Sequence, residues 1–184
     1  MNSGEGSFGE LARFKAQVLN DFVKTRDVES VIELGCGDGH QLELAAYPSY
    51  LGLDVARTAI DRCLARFRDD ATKSFLWYDS ERSVRLEQFL HADLALSLDV
   101  LYHIMEESHF DAYLTRLFGI ARRFVVIYST NEDRGRSGLH VLHRRFSDRV
   151  AARFPSFRLI DTIPNPYPEL SRADMFIYER QAPS

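Results

Sequence analysis

The chain has 184 residues, 45% of them hydrophobic, which is enough to fill one core and too few for two domains of ordinary size. Its 27 acidic and 23 basic residues leave a formal net charge of -4, so no global positive field is on offer to a nucleic-acid backbone. The only cysteines, Cys36 and Cys63, form no metal or disulfide pattern and no apolar run is long enough for a bilayer, so one cytoplasmic domain over 1–184 is expected, without nucleic acid, membrane span or metal.

Leu11, Phe14, Val18 and Phe22, spaced by three and four, predict an amphipathic first helix. Strand-like and helix-like runs then alternate. SVIELG (30–35) reads as a strand, HQLELAAY (40–47) as a helix stopped near Pro48, and YLGLDV (50–55) as the second strand. ARTAIDRCLARFRDD follows as a helix with Ile60, Leu64 and Phe67 on its inner face. SFLWYDS (74–80) is the third strand, a short helix runs through Val84, Leu86 and Leu90, and ADLALSLDV (92–100) is the fourth strand. A helix over 106–121 presents Phe110, Tyr113, Leu114, Leu117 and Phe118, and RFVVIYS (123–129) is the fifth strand. LHVLHRRFSDRVAARF (139–154) resumes a helical period through Leu139, Leu142, Phe146 and Val150. FRLIDTI (157–163) and MFIYER (175–180) are two further strands with no helix between them.

Strands separated by helices imply a parallel sheet covered on both faces, because each crossover returns the chain to the same end of the sheet. The missing crossover before 175–180 makes that strand antiparallel. The expected fold is α/β: a doubly wound, seven-stranded, mostly parallel sheet.

The first strand ends in Glu33-x-Gly35-x-Gly37-x-Gly39. A dinucleotide fingerprint starting at Gly35 requires glycine at position 40, where this chain has His40. The spacing resembles the cofactor loop of the Rossmann-like, class I S-adenosylmethionine-dependent methyltransferases, in the form ELGCGDG (33–39). That resemblance covers most of the chain and implies the strand order 3-2-1-4-5-7-6. It also implies S-adenosyl-L-methionine as cofactor, held by Glu33, Gly35, Cys36, Gly37, Asp54, Val55, Asp79, Ser80 and Asp99. Bare backbone at the glycines lets the adenosyl ribose and methionyl tail approach. Asp54 at the end of the second strand is placed to accept from ribose hydroxyls, and also to cap the next helix. Asp79 fits either the adenine amino group or a turn.

Acceptors in such sheets bind beyond the carboxyl ends of the strands, near the switch between the first and fourth. LSLDVLYHI (96–104) leaves the fourth strand there. Methyl transfer to a hydroxyl needs a base, and His103 is the candidate, with Asp99 beside it and Tyr102 packed around it. A half-buried or helix-capping histidine is the other reading. On a helix from 139, His140, His143 and Arg144 would share one face, available to an anionic or polyhydroxylated acceptor or simply solvated. NPYP (165–168) is a proline-rich turn or, through Tyr167, a substrate wall.

SLDVLYH together with HVLHRRF and NPYP is similar to a small methyltransferase subgroup of bacterial surface-polysaccharide and other glycan-tailoring pathways. The resulting expectation is methyl transfer to a small-molecule or glycan-type acceptor at oxygen. The alternatives are aminopropyl transfer on the same fold, or an inactive cofactor-binding module supporting a partner enzyme such as a glycosyltransferase.

Overall fold

The computed structural model describes residues 8–79, 85–137 and 140–182. Helix α1 (Gly9–Thr25) buries Leu11, Ala12, Lys15, Ala16, Leu19, Phe22 and Val23. Phe14 and Val18 lie at the partly buried margin of that stripe, and a lysine occupies its middle.

Strands β1 (Val31–Leu34), β2 (Tyr50–Asp54), β3 (Lys73–Trp77), β4 (Ala92–Leu98) and β5 (Ala121–Ser129) pair in parallel. Helix α2 (Arg57–Arg66) crosses from β2 to β3, and α3 (Glu107–Ile120) from β4 to β5. A hairpin of β6 (Gly135–Arg136) and β7 (Leu142–His143) follows, then α4 (Phe146–Arg153), β8 (Phe157–Ile163) and β9 (Asp174–Arg180). The seven-stranded order is β3-β2-β1-β4-β5-β9-β8, with β9 antiparallel to both neighbours. The order is the one that the methyltransferase resemblance implied, and the antiparallel β9 is what the missing crossover implied.

Alternation along β4 and β5 sorts the core into two layers. Leu94, Leu96, Phe124, Val126 and Tyr128 face α1 and α2, packing on Leu19, Phe22, Ile60 and Cys63. Ala95, Val125 and Ile127 face α3 and α4, packing on Phe110, Leu114, Leu117, Phe118, Phe146 and Val150. Each such large apolar side chain, once fully buried, contributes about 1.5–3 kcal/mol. On α2 the inward residues are Ile60 and Cys63, whereas Leu64, expected inside, is 51% exposed.

One expected helix is not formed and another is shortened. Residues 40–47 make only a 3-10 turn, Gln41–Leu44, because Asn20 of α1 takes the next backbone groups: its Nδ2 donates to Leu44 O (2.9 Å) and its Oδ1 accepts from Ala46 N (2.8 Å). Of the helix expected over 139–154, residues 142–143 instead pair with Gly135 and Arg136, and α4 begins at Phe146. Its opening N–H groups are satisfied from a distance. Asn131 Oδ1 accepts from Ser147 N (3.1 Å), Asn131 Nδ2 donates to Ser147 Oγ (2.9 Å), and Asp133 Oδ1 accepts from Arg145 N (2.9 Å). Ser80, Val84 and Leu139 lie outside the described residues. Among the described residues no helix is long and apolar enough to cross a membrane.

Candidate active site

The site grows from the point where β1 stops. Gly35 (φ +85°) and Gly37 (φ +59°) adopt left-handed backbone that side-chain-bearing residues resist. The loop is also crowded, since a Cβ built on Gly35 would lie 2.6 Å from Val100 Cγ2. Gly35 N and Cys36 N both donate to Leu53 O, at 2.7 and 3.1 Å, tying the loop to β2. Asp54, buried at the end of β2, accepts from Gly37 N through Oδ2 (2.9 Å) and from Ala56 N through Oδ1 (2.8 Å). Both carboxylate oxygens are thereby fixed in direction while each keeps capacity to accept again.

Beyond this loop opens a cavity of about 630 Å³, within the usual size of a small-molecule site. Its floor is a buried charged cluster. Lys15, 1% exposed, donates to Asp99 Oδ2 at 2.6 Å, and Tyr102 Oη donates to Asp99 Oδ1 at 2.7 Å. Asp99 itself has φ +59°, a conformation Asp tolerates better than most residues but one that stores strain. Beside it, Glu33 accepts from Tyr50 Oη at 2.6 Å. Burial pushes the Glu33 carboxyl up to about 7, reinforced by the charges of Asp54 and Asp99 and opposed by the Tyr50 bond and Lys15. Burial, then the Asp99 charge, also pushes the Tyr102 phenol upward.

Helix α3 supplies one wall, with His109, Tyr113 and Arg116 on one face at helical spacing. Tyr113 Oη lies 2.8 Å from Leu34 O and 2.8 Å from Ser97 Oγ, so the phenol donates to the carbonyl and accepts from the serine. On the 3-10 turn after β4 (Leu101–His103), His103 places Nδ1 3.2 Å from His140 O. A carbonyl only accepts, so this contact calls for a proton on Nδ1, which in a neutral imidazole leaves the lone pair on Nε2.

The structure brings Glu33, Gly35, Cys36, Gly37, Asp54, Val55, Asp99, Tyr102 and His103 to this cavity. Tyr78 also lines it, with Asp79 one residue beyond the lining, and Ser80 lies outside the described residues. The other candidates differ from expectation because 140–145 is not helical. His140 meets His103 through its backbone. His143 Nδ1 pairs with Thr130 Oγ1 at 2.8 Å and lines a second chamber of about 310 Å³ that shares Tyr102, Leu170 and Ser171 with the first. Arg144 is committed within the protein: it donates to Glu107 Oε1 (2.7 Å), Ile104 O (2.7 Å) and Met105 O (2.8 Å). Tyr167 is held in a turn by Asn165, whose side chain binds Tyr167 N and Ser171 O (3.0 and 2.8 Å), and this turn delivers Leu170 and Ser171, rather than Tyr167, to the cavity.

Lys15, Gln41, His109, Tyr113 and Arg116 are lining residues that sequence reading did not assign to the site, Tyr113 having been read as core only. One signal was available: Lys15 sits four residues after Leu11 and four before Leu19, in the middle of an apolar stripe.

No family model matches the chain, and no curated protein matches it. Solved structures do. The methyltransferase domain of bacterial CtHen1 is 20% identical, with a TM-score of 0.72 over 92% of this chain and 98% of that one. Magnesium protoporphyrin IX methyltransferase from Synechocystis, solved with S-adenosylhomocysteine, is 15% identical, with a TM-score of 0.73 over 97% and 90%. The N-methyltransferase NodS from Bradyrhizobium japonicum, also with S-adenosylhomocysteine, is 16% identical, with a TM-score of 0.73 over 94% and 88%. At such identities the likeness is one of architecture: this chain has the fold of solved methyltransferases.

Proposed function

We propose that the protein is an S-adenosylmethionine-dependent methyltransferase acting on a hydroxyl of a small-molecule or glycan-type acceptor. The observation that carries this reading is the Asp54 carboxylate, fixed by Gly37 N and Ala56 N beside a left-handed glycine loop and facing the cavity, a cradle suited to a ribose diol. The donor set also fits the rest of the cofactor. Gln41 donates to Ala12 O at 3.0 Å while its Oε1 is buried without a hydrogen-bond partner among the described residues. That orphaned acceptor, with Glu33 and Asp99, suits an ammonium group, and Lys15 suits a carboxylate. Val55 and Tyr78 would flank the adenine, with Asp79 nearby for its amino group.

S-adenosylmethionine, when bound, supplies a methyl group already activated by the adjoining sulfonium. The chain's own work is then alignment, exclusion of water and removal of the acceptor proton. His103 accepts that proton at Nε2, since Nδ1–H is engaged by His140 O. The second chamber combines the Tyr102 ring with Thr130, His143, Glu169 and Arg172. An aromatic wall with hydrogen-bonding groups around it favours a polyhydroxylated acceptor.

Calorimetric titration with S-adenosylmethionine, S-adenosylhomocysteine and NAD tests the cofactor. Saturable binding of the first two and none of the third is expected, and NAD binding alone would overturn the reading. Mass-spectrometric detection of a methyl gain on mono- or disaccharides and their phosphates then tests the acceptor. Cofactor binding without transfer to any acceptor, in a stable complex with a glycosyltransferase, would indicate a supporting module instead.

A further inference from the structure

The hairpin β6–β7 and the residue that follows it grip the chain just after β4. Arg144 donates to the carbonyls of Ile104 and Met105 at 2.7 and 2.8 Å and to Glu107 Oε1 at 2.7 Å. Its side chain is only 12% exposed and its guanidinium lies 4.6 Å from the centre of the Phe110 ring. Four residues earlier, His140 O lies 3.2 Å from His103 Nδ1. Positions 140 and 144 therefore hold 103 to 105 from one side. The hairpin is braced by Ser137 N to Val141 O (2.9 Å) and by the Thr130–His143 contact (2.8 Å).

We infer that Arg144 is a positioning residue: by tying Ile104 and Met105 to the hairpin it keeps His140 O on His103 Nδ1, so that Nε2 is the nitrogen offered to the acceptor. This rests on His103 being the base. A neutral imidazole has one protonated and one bare nitrogen, and free histidine in water prefers the proton on Nε2, the opposite of what a base at Nε2 needs. Three charge-assisted donors in a planar fork hold three acceptors at once, and a lysine at this position reaches only part of that set.

The test needs no acceptor. Long-range 15N–1H correlation spectra of the full chain at about pH 8, well above the usual histidine range near 6.5, report which nitrogen carries the proton. His103→Gln assigns the signal. The wild type is expected to show His103 protonated on Nδ1. Arg144→Met should shift that signal towards the Nε2–H form with cofactor affinity unchanged, and Arg144→Lys should fall between. An Nε2–H ring in the wild type overturns the inference, as does an unchanged Nδ1–H ring in folded Arg144→Met. If Arg144→Met does not fold, Arg144→Lys and Glu107→Gln carry the same comparison, and no shift in either overturns it. A ring released by Arg144→Met in a chain that binds no S-adenosylmethionine would keep the positioning contact and refute the methyl-transfer reading, so the two failures are distinct.

Discussion

Lys15→Met should be among the most damaging single changes available in the cofactor cavity. The substitution keeps the aliphatic length in the α1 stripe but removes the cation 2.6 Å from Asp99 Oδ2. Breaking a fully buried ion pair from one side costs about 3–5 kcal/mol, because the remaining charge is left in a poorly solvating interior. Asp99 retains the Tyr102 bond and its side chain is 20% exposed, so the low end applies, about 3 kcal/mol. For a chain of this size that is about 6–12 °C in Tm. Asp99→Asn in the same background removes the stranded charge and should restore much of the loss, giving a coupling of about 2 kcal/mol in a double-mutant cycle followed by urea denaturation at neutral pH. A loss under about 1 kcal/mol for Lys15→Met, or a double variant as unstable as the two singles summed, would refute the pairing as the organiser of this floor.

Glu33, pushed up to about 7 by burial, binds a proton in the folded chain at pH values where the unfolded chain has released it. Its contribution to stability is therefore present below the unfolded value of about 4.5, is lost as pH rises towards 7, and changes little above that. Glu33→Gln keeps an acceptor for Tyr50, and its stability relative to wild type should improve across that window by an amount of the order of 3 kcal/mol, measured by melts between about pH 4.5 and 8. A pH-independent difference would mean that Glu33 is ionised throughout. Gly35→Ala should cost about 2–4 kcal/mol, from left-handed strain plus overpacking against Val100, and should weaken S-adenosylmethionine binding. Adding Val100→Ala should recover the packing share alone. His103→Ala should slow turnover with cofactor affinity nearly intact, and unchanged turnover would remove it from the mechanism.

Periodicity and the glycine spacing located the strands, the loop after β1 and the position of Asp54 at the end of β2, because each depends on residues adjacent in sequence, whereas the strand order followed from the resemblance that the glycine loop carries. Lys15 meets Asp99 across 84 positions: its place in an apolar stripe marks a buried lysine, but nothing local names its partner. The apolar period at 139–154 was real in the sequence, yet its first part became a hairpin, since Asn131 and Asp133 provide acceptors at the start of α4 and fix where it begins. Local pattern competes there with distant side chains, and the distant ones win. Arg144 shows the same effect on function: its charge suggested an acceptor contact, whereas the fold spends it on Ile104, Met105 and Glu107.

The placement of β9 between β5 and β8 also sets an order for assembly. During synthesis β8 leaves the ribosome before β9, the one strand it pairs with among the described residues, and β9 then closes the ladders to β5 and β8. The Asn165 turn, lying between these two strands, is then set together with the sheet, so the rim carrying Leu170 and Ser171 becomes orderly only when the scaffold is complete. A chain ending before residue 174 would leave the β5 edge that β9 covers without its partner strand.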